Sequence, residues 1–242
     1  NIYATDERLN RISVFDKEGK FLSKWGTPGT SDGEFAGASG IAFDADDNLY
    51  VVDSKNHRVQ LFSKDGKFIS NWGSQGSAQG ELETPWGICV DNNGDVYVAD
   101  WGNNRVQKFS PDGKFLVQFG SADAKAGDLD HPSGVAVDSE GDVYITDWSN
   151  HRVQVYGPDG KFVTTLVGDA QTPSPWTQTY IDANPDIIKA RRRADMEPEW
   201  RFRRPVAVNV DANDRVFVLE AARHRLQIYN KVKDYEEHSI NL

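Results

Sequence analysis

The chain has 242 residues, enough to bury one large core or two small ones. Aspartate and glutamate outnumber lysine and arginine by 37 to 27, so the formal net charge is −10. This acidic balance argues against nucleic acid or an anionic membrane as the default partner, because both attract positively charged surfaces. No apolar run approaches the ~18 residues that a membrane-spanning helix needs, so no membrane insertion is expected.

An internal repeat runs through most of the chain. An aspartate recurs at Asp6, Asp53, Asp100 and Asp147, each 47 residues after the last, and an arginine follows each one after five residues. A fifth, weaker copy holds Glu220 at this position, 73 residues beyond its predecessor, which leaves 26 inserted residues. Four-stranded antiparallel units of this period, stacked radially, form a β-propeller.

Each copy contains four predicted strands in the same order. The first, such as GIAFD, is almost continuously apolar, as expected of a strand buried on both faces. The second, VYVAD, is rich in β-branched and aromatic residues, and the third, RVQLF, alternates apolar with polar. The fourth has the form KFISNWG. Asn-Gly and Asp-Gly pairs separate strands because they tolerate the positive φ of tight hairpins. The sequence therefore predicts an all-β fold with four antiparallel strands per blade.

The recurring pattern resembles the NHL repeat, whose initials stand here as Asn56-His57-Arg58 and Asn150-His151-Arg152. The resemblance implies a six-bladed propeller, whereas about five repeats are visible. Blades of a single domain are predicted at residues 1–26, 27–73, 74–120, 121–168 and 205–242, with a short helical insertion at 169–204. Either residues before Asn1 complete the ring, which we favour, or five blades close with help from the C-terminal tail.

Positions shared by all copies are expected to serve the scaffold. The repeated acid–arginine pairs face each other across a hairpin and would each contribute ~0–1 kcal/mol if they were exposed to solvent. His57 and His151 fill a consensus position and are interpreted as hydrogen-bonded loop histidines rather than metal ligands. Cys89 lies within a first strand and is interpreted as a small buried apolar residue. Function is therefore expected where the repeat pattern breaks.

Three tryptophans break the pattern. Trp101 and Trp148 follow the aspartate that ends a second strand, and Trp86 stands at the entry to a first strand. In an up-and-down blade these two places open on the same face, so Trp86, Trp101, Trp148 and His131 are expected on one rim. Two interpretations stay equally open: packing of blade against blade, or stacking on a flat or sugar-like ligand. The second predicts that alanine at Trp101 and Trp148 leaves folding nearly intact.

The insertion is expected to emerge on the same face. Asn184-Pro185-Asp186 predicts the start of a helix of two or three turns. Six arginines fall within 14 residues: Arg191, Arg192, Arg193, Arg201, Arg203 and Arg204. They form either a solvated, internally paired face or a guanidinium cluster that captures a carboxylate or phosphate. With Trp176 and Tyr180 nearby, the segment is predicted to act as a lid or a protein-docking arm.

The resemblance also directs attention to metals. Some NHL-like propellers are zinc lyases that cleave hydroxyglycine-extended peptides and hold zinc with histidines after the proline at first-strand entries. Those positions are Ser39, Trp86, Ser133 and Val206 here, so the resemblance does not carry a zinc site to this chain. Other six-bladed relatives bind calcium near the channel and act on lactones or esters. No cofactor is predicted. Calcium in the central channel is retained as the alternative.

We therefore predict a non-catalytic binding propeller that recognises a protein or a small anionic or aromatic ligand on the face of the second-to-third-strand loops. Its predicted ligand-binding residues are Trp86, Trp101, Trp148, His131, Tyr180, Arg191, Arg192, Arg193 and Arg201. The alternative is a calcium- or zinc-dependent lyase or hydrolase that acts in the channel. A third interpretation is an assembly subunit whose open blade edges pair with another chain. The sequence begins at Asn1 with neither an initiator methionine nor a signal segment, so any targeting information lies outside it and no compartment is assigned.

Overall fold

A computed structural model describes residues 1–120, 127–173 and 175–231, and it shows five consecutive antiparallel sheets that form the blades of a propeller. The strands of the first blade are β1 (Ile2–Asp6), β2 (Arg11–Phe15) and β3 (Phe21–Trp25). A short parallel pair in the following link consists of β4 (Thr27–Pro28) and β5 (Glu34–Phe35). The strands of the second blade are β6 (Ala38–Phe43), β7 (Leu49–Asp53), β8 (Arg58–Phe62) and β9 (Phe68–Trp72).

The remaining blades repeat this order. The strands of the third blade are β10 (Ile88–Val90), β11 (Val96–Asp100), β12 (Arg105–Phe109) and β13 (Phe115–Phe119). Those of the fourth are β14 (Pro132–Val137), β15 (Val143–Asp147), β16 (Arg152–Tyr156) and β17 (Phe162–Leu166). Those of the fifth are β18 (Pro205–Val210), β19 (Arg215–Glu220) and β20 (Arg225–Asn230).

Three helices lie between the fourth and fifth blades: α1 (Pro175–Asp182), α2 (Pro185–Arg191) and α3 (Glu197–Trp200). The helix predicted from Asn184-Pro185-Asp186 is α2, and α1 and α3 are additional to the single short helix expected. Within the parts of the chain that the structure describes, no helix has the length and apolar character needed to cross a bilayer.

The predicted antiparallel four-stranded blade is confirmed in the second, third and fourth blades. Among the described residues, the first blade begins with the second strand of the repeat, and the described part of the fifth ends after its third strand. The structure therefore describes five blades. The parts of the fold that the sequence predicts most directly, the hairpins, have the expected register, as in the pairing of Asp100 with Arg105 across β11 and β12.

The second to fifth blades are each tied to the link that precedes them by a buried acid and an arginine, an arrangement we call the link clamp. In the third blade, Asp100 is 0% exposed, and its carboxylate accepts hydrogen bonds from Arg105 Nε at 2.8 Å and from the Glu83 backbone N–H at 2.6 Å. Arg105 also donates to the carbonyls of Ala78 and Glu81, both at 2.9 Å. The clamp therefore fixes the path of the link as well as the hairpin.

The same clamp recurs around Asp53, Asp147 and Glu220, whose arginine partners are Arg58, Arg152 and Arg225. All of these acids are buried, so the ~0–1 kcal/mol expected for a solvent-exposed acid–arginine pair does not apply to them. Burial raises the pKa of the Asp100 carboxyl, and the Glu83 N–H, Asn103 and Arg105 oppose that rise by favouring the carboxylate. Removing one partner from such a pair leaves a buried charge unpaired.

The clamp is incomplete in the first blade. Arg11 Nε lies 3.6 Å from Asp6, and both side chains are 31% exposed. Arg11 Nε has no hydrogen-bond partner, and the described chain supplies no preceding link for this arginine to hold. The first blade therefore provides a natural comparison for the buried pairs of the others.

A second contact joins each blade to the next through the residue that precedes the third-strand arginine. Asn10, His57 and Asn104 accept hydrogen bonds from the backbone N–H groups of the next blade's Gly37, Thr84 and His131. His151 does the same for Arg204, with Nδ1 3.1 Å from the backbone nitrogen. The consensus histidines are thus loop histidines that accept a hydrogen bond at Nδ1, as the repeat predicts.

Apolar packing completes each junction. Trp72, at the end of the second blade's outer strand, lies 4.3 Å from the Phe109 ring of the third blade. It also covers Gly113, which has φ +81° and where an added Cβ would stand 2.4 Å from Trp72 Cγ. Gly113 thus meets two needs at once, the hairpin turn and the approach of the indole. Trp25 and Phe119 occupy the equivalent position at their junctions.

The first strands approach one another closely around the central channel. The Gly40 N–H donates to the Trp86 carbonyl at 2.9 Å, and a Cβ at Gly40 would stand 2.5 Å from that oxygen. A Cβ at Gly87 would likewise stand 2.5 Å from the Ser133 carbonyl oxygen. Main-chain contact between successive blades therefore sets the width of the channel.

Replacing Arg105 with methionine should lower the free energy of unfolding by about 3–5 kcal/mol, because it leaves the Asp100 carboxylate buried without its cation. The matched change Arg11→Met, in the partly exposed pair of the first blade, should cost less than about 1 kcal/mol. Urea unfolding of both variants checks the difference. Equal losses would contradict the role assigned to the buried clamp.

Candidate binding face

The inner ends of the blades frame a shallow depression at the mouth of the channel. Its polar and aromatic lining comes from the entries to the first strands of blades two to four, and from the end of β1 in the first blade: Thr5, Glu7, Ser39, Trp86 and Ser133. Val206, at the entry to β18, lines the fifth blade's side. All five blades therefore contribute to one opening.

Trp86 has a fixed backbone and a free indole. Its N–H donates to the Ala99 carbonyl at 2.8 Å, while its own carbonyl accepts from Gly40 at 2.9 Å and from Ser39 Oγ at 3.0 Å. The residue is nevertheless 42% exposed and lines the channel mouth. The scaffold thus fixes the main chain from which this partly exposed indole extends.

Trp101 and His131 meet at the junction of the third and fourth blades. Their ring centroids are 4.1 Å apart at 57°, and both residues are half-buried. His131 Nδ1 lies 2.5 Å from Asp130 Oδ1 and 3.3 Å from Ser149 Oγ. The imidazole is therefore held by a carboxylate on its edge and covered by an indole.

Trp148 occupies the corresponding place at the next junction. The guanidinium of Arg204 lies 4.9 Å from the Trp148 ring, at the repeat position that His131 holds one blade earlier. Each of the two tryptophans therefore covers the residue that enters the following blade, and each is half-buried. Each ring packs at a junction between blades, as the packing interpretation expects. Each side chain also keeps part of its surface exposed to solvent.

The structure brings the four predicted rim residues to one face: Trp86, Trp101, Trp148 and His131. Ala99, whose carbonyl and N–H pair with Trp86 and Gly87, stands two residues before Trp101. The His131 N–H in turn donates to Asn104, which ends the 3₁₀ turn that begins at Trp101. Trp148 and Arg204 repeat this relation one blade further on.

The helical insertion returns to the fifth blade through the ordinary clamp. Arg225 donates to the carbonyls of Glu199, Trp200 and Arg201, and Phe202 is buried where the other links place Phe35, Leu82 and Leu129. The insertion thus emerges on the face of the junction loops. Among the described residues that line the channel mouth, none belongs to α1, α2 or α3.

The predicted arginine cluster divides into paired and unpaired members. Arg191 bonds to Glu199 at 3.1 Å, and Arg201 bonds to Glu197, one turn away. Arg192 and Arg193 instead line a shallow groove with Lys189. Tyr180 lies on α1, well exposed. The structure therefore places Tyr180 and the arginines apart from Trp86, and the predicted residues occupy two separate places on the molecule.

Sequence reasoning missed several residues at these two places. Glu7 follows Asp6 in the position that Trp101 and Trp148 hold in other copies, so the repeat alignment contained its signal. It lies 3.5 Å from Lys55 Nζ, which places an ion pair at the channel mouth. Thr5 and Ser133 also line the mouth, and Lys189 lines the basic groove.

Metal-ligating side chains do not cluster within the described chain. Over residues 1–120, 127–173 and 175–231, no three histidine, cysteine, aspartate or glutamate side chains are grouped so as to hold a metal ion. Burial raises the pKa of the Cys89 thiol, which keeps it protonated at neutral pH and fits its interpretation as an apolar residue.

Comparisons with known proteins identify the repeat. The family model of the NHL repeat matches the chain at residues 35–62, 82–109 and 129–156. No curated protein matches the chain in sequence.

Solved structures share the fold. A catalytically inactive virginiamycin B lyase from Staphylococcus aureus, solved with quinupristin, is 14% identical with a TM-score of 0.58, over 96% of this chain and 67% of that one. A streptogramin B lyase is 14% identical with a TM-score of 0.59, over 94% and 64%. A Bacteroides thetaiotaomicron protein of unknown function is 20% identical with a TM-score of 0.63, over 91% and 53%. The chain thus spans between half and two thirds of these proteins, and at such identities the likeness shows the fold alone.

Replacing both Trp101 and Trp148 with alanine should lower the free energy of unfolding by no more than about 2 kcal/mol, because each loses one aromatic or cation–π contact. Trp72→Ala, at an apolar junction, should cost about 3–5 kcal/mol. Chemical denaturation of both variants measures the contrast. A loss in the double variant as large as that of Trp72→Ala would make these tryptophans core residues.

Proposed function

Because the chain is an NHL-repeat β-propeller protein, we propose that it is a binding module that takes a small ligand at the mouth of its channel. The observation that carries this proposal is the exposed indole of Trp86, held over an opening to which all five blades contribute. A ring presented on a fixed backbone binds a flat partner without first being ordered, which reduces the entropic cost of association.

The lining suggests the class of ligand. Trp86 offers a stacking face, and the hydroxyls of Thr5 and Ser39 offer hydrogen bonds beside it. Glu7 is paired with Lys55, so the mouth carries no large excess of either charge. These groups suit a flat aromatic or sugar-like molecule with polar substituents. Stacking on one indole is worth ~1–3 kcal/mol by analogy with base stacking.

Six blades in the complete ring are part of the same proposal. The apolar side chains Leu219, Leu226 and Ile228 are about half exposed on the fifth blade. The repeat equivalents of Leu226 and Ile228 in the fourth blade, Val153 and Val155, are buried in a core cluster shared with the fifth blade. A further blade seated on this face would cover them as every other junction is covered.

Elemental analysis distinguishes the binding proposal from the alternative, a metal-dependent lyase or hydrolase that works in the channel. Zinc or calcium present at one equivalent after dialysis, and lost together with thermal stability on chelation, would favour the enzyme. The binding proposal expects a melting temperature that chelation leaves unchanged.

The binding proposal predicts that Trp86→Ala weakens ligand binding at the mouth while the protein stays folded. A set of aromatic and sugar fragments, screened by saturation-transfer NMR, should give signals with the unmodified protein that weaken about tenfold in Trp86→Ala. Trp176→Ala, which changes an exposed tryptophan that does not line the mouth, is the matched control and should retain the signals. Signals that survive Trp86→Ala, or no signals at all, would overturn the assignment.

A further inference from the structure

The helical insertion exposes two aromatic side chains that the rest of the described chain leaves uncovered. Trp176 is 81% exposed and Tyr180 is 59% exposed, and they stand one helical turn apart on α1. Residues with this spacing share one side of a helix. Ile181 and Gln178 face the groove between α1 and α2, so the aromatic pair lies on the side of α1 turned away from α2.

Such exposure is unusual for side chains of this size. Tryptophan and tyrosine are enriched among the residues that dominate the energy of protein interfaces, because each buries a large area with few rotatable bonds. Nothing in α1 requires an indole for folding, since Ile181 supplies its buried contact. The exposed pair therefore indicates an interaction surface.

Positive charge is concentrated on α2, the neighbouring helix, rather than on the aromatic side of α1. Lys189, Arg192 and Arg193 are exposed, line one groove and lie on one side of the turn that ends α2. In contrast with Arg191 and Arg201, no acid of the described chain forms an ion pair with them. Free cations are notable in a protein of net charge −10, where carboxylates are plentiful.

The insertion is also held in a fixed position at its base. Arg225 binds three successive carbonyls from Glu199 to Arg201, and the Phe202 N–H donates to the Val167 carbonyl at 2.8 Å. Phe202 itself is buried in the core cluster between the fourth and fifth blades. The helices thus project from two anchored ends, which is the arrangement of a docking arm.

We propose that this arm, residues 175–193, docks an acidic segment of another protein. Carboxylates of the partner would pair with Lys189, Arg192 and Arg193 on α2, and the segment would continue around the helix pair so that its apolar side chains cover Trp176 and Tyr180 on α1. A long nucleic acid is disfavoured because the remaining surface of the chain is acidic and repels it. A second copy of this chain is disfavoured because two whole chains, each of net charge −10, repel each other. The inference does not depend on the channel proposal, because none of these residues lines the channel mouth.

The test uses the full chain and a fluorescein-labelled peptide of about 12 residues, rich in glutamate and carrying two leucines, read by fluorescence polarisation. We expect saturable binding with a dissociation constant below about 100 μM. Trp176→Ala with Tyr180→Ala should weaken it at least tenfold, as interface aromatics do. The triple change Lys189→Ala, Arg192→Ala and Arg193→Ala should weaken it about tenfold and reduce its salt dependence.

Matched controls keep the result specific. Arg8, Lys20 and Lys24 are exposed cations of the first blade without an ion pair to an acid of the described chain, so their triple alanine variant removes the same charge elsewhere. It should bind the peptide as the unmodified protein does, and so should Trp86→Ala, which tests the channel mouth alone. Circular dichroism confirms that each variant is folded.

Several outcomes would overturn the proposal. One is equal weakening by the first-blade control, and another is absence of saturable binding by the unmodified protein. Tighter binding of a labelled oligouridine that the peptide fails to displace would assign the arm to RNA instead. Light scattering that shows a dimer, lost in the Trp176→Ala and Tyr180→Ala variant, would assign it to a second copy.

Discussion

The buried acid–arginine pair is the interaction on which the rest of this propeller depends. It binds a hairpin to the link before it, so a single arginine organises two parts of the chain that are distant in sequence. Asp100 and Arg105 show why the pair tolerates burial: the carboxylate receives several hydrogen bonds, and the guanidinium spends its remaining donors on link carbonyls. Because the link reaches the rim in the same way at each junction, the junction loops of successive blades lie on the same face of the propeller.

That regularity explains how variable residues acquire a common face. The clamp uses main-chain carbonyls of the link and therefore leaves the link's side chains free to differ. His131 and Arg204 occupy one repeat position yet have different chemistry, and Trp101 and Trp148 adapt to both. The same freedom admits an insertion of three helices without disturbing the fifth blade, since Arg225 needs only the carbonyls that precede Phe202.

The sequence alone predicts the strands, hairpins and junction histidines, because these depend on residue types that recur at a fixed spacing. It does not predict the clamp's reach, because the partners of Arg105 are backbone oxygens that any residue could supply. Nor does it reveal α1, whose PWTQTYID segment lacks an apolar helical period. The expectation that Tyr180 and the arginines lie beside Trp86 rested on a shared face, and a shared face does not fix the distance between two features on it.

The glycines of the innermost strands have a consequence for the evolution of the channel. Gly40 and Gly87 bring main chain against main chain, and a Cβ at Gly134 would stand only 3.1 Å from the Cα of Ala207. The width of the channel is therefore set by main-chain groups rather than by the side chains that line its wall. A substitution at the rim, such as tryptophan for serine, therefore changes the chemistry of the lining without changing the main-chain contacts that set the spacing of the blades.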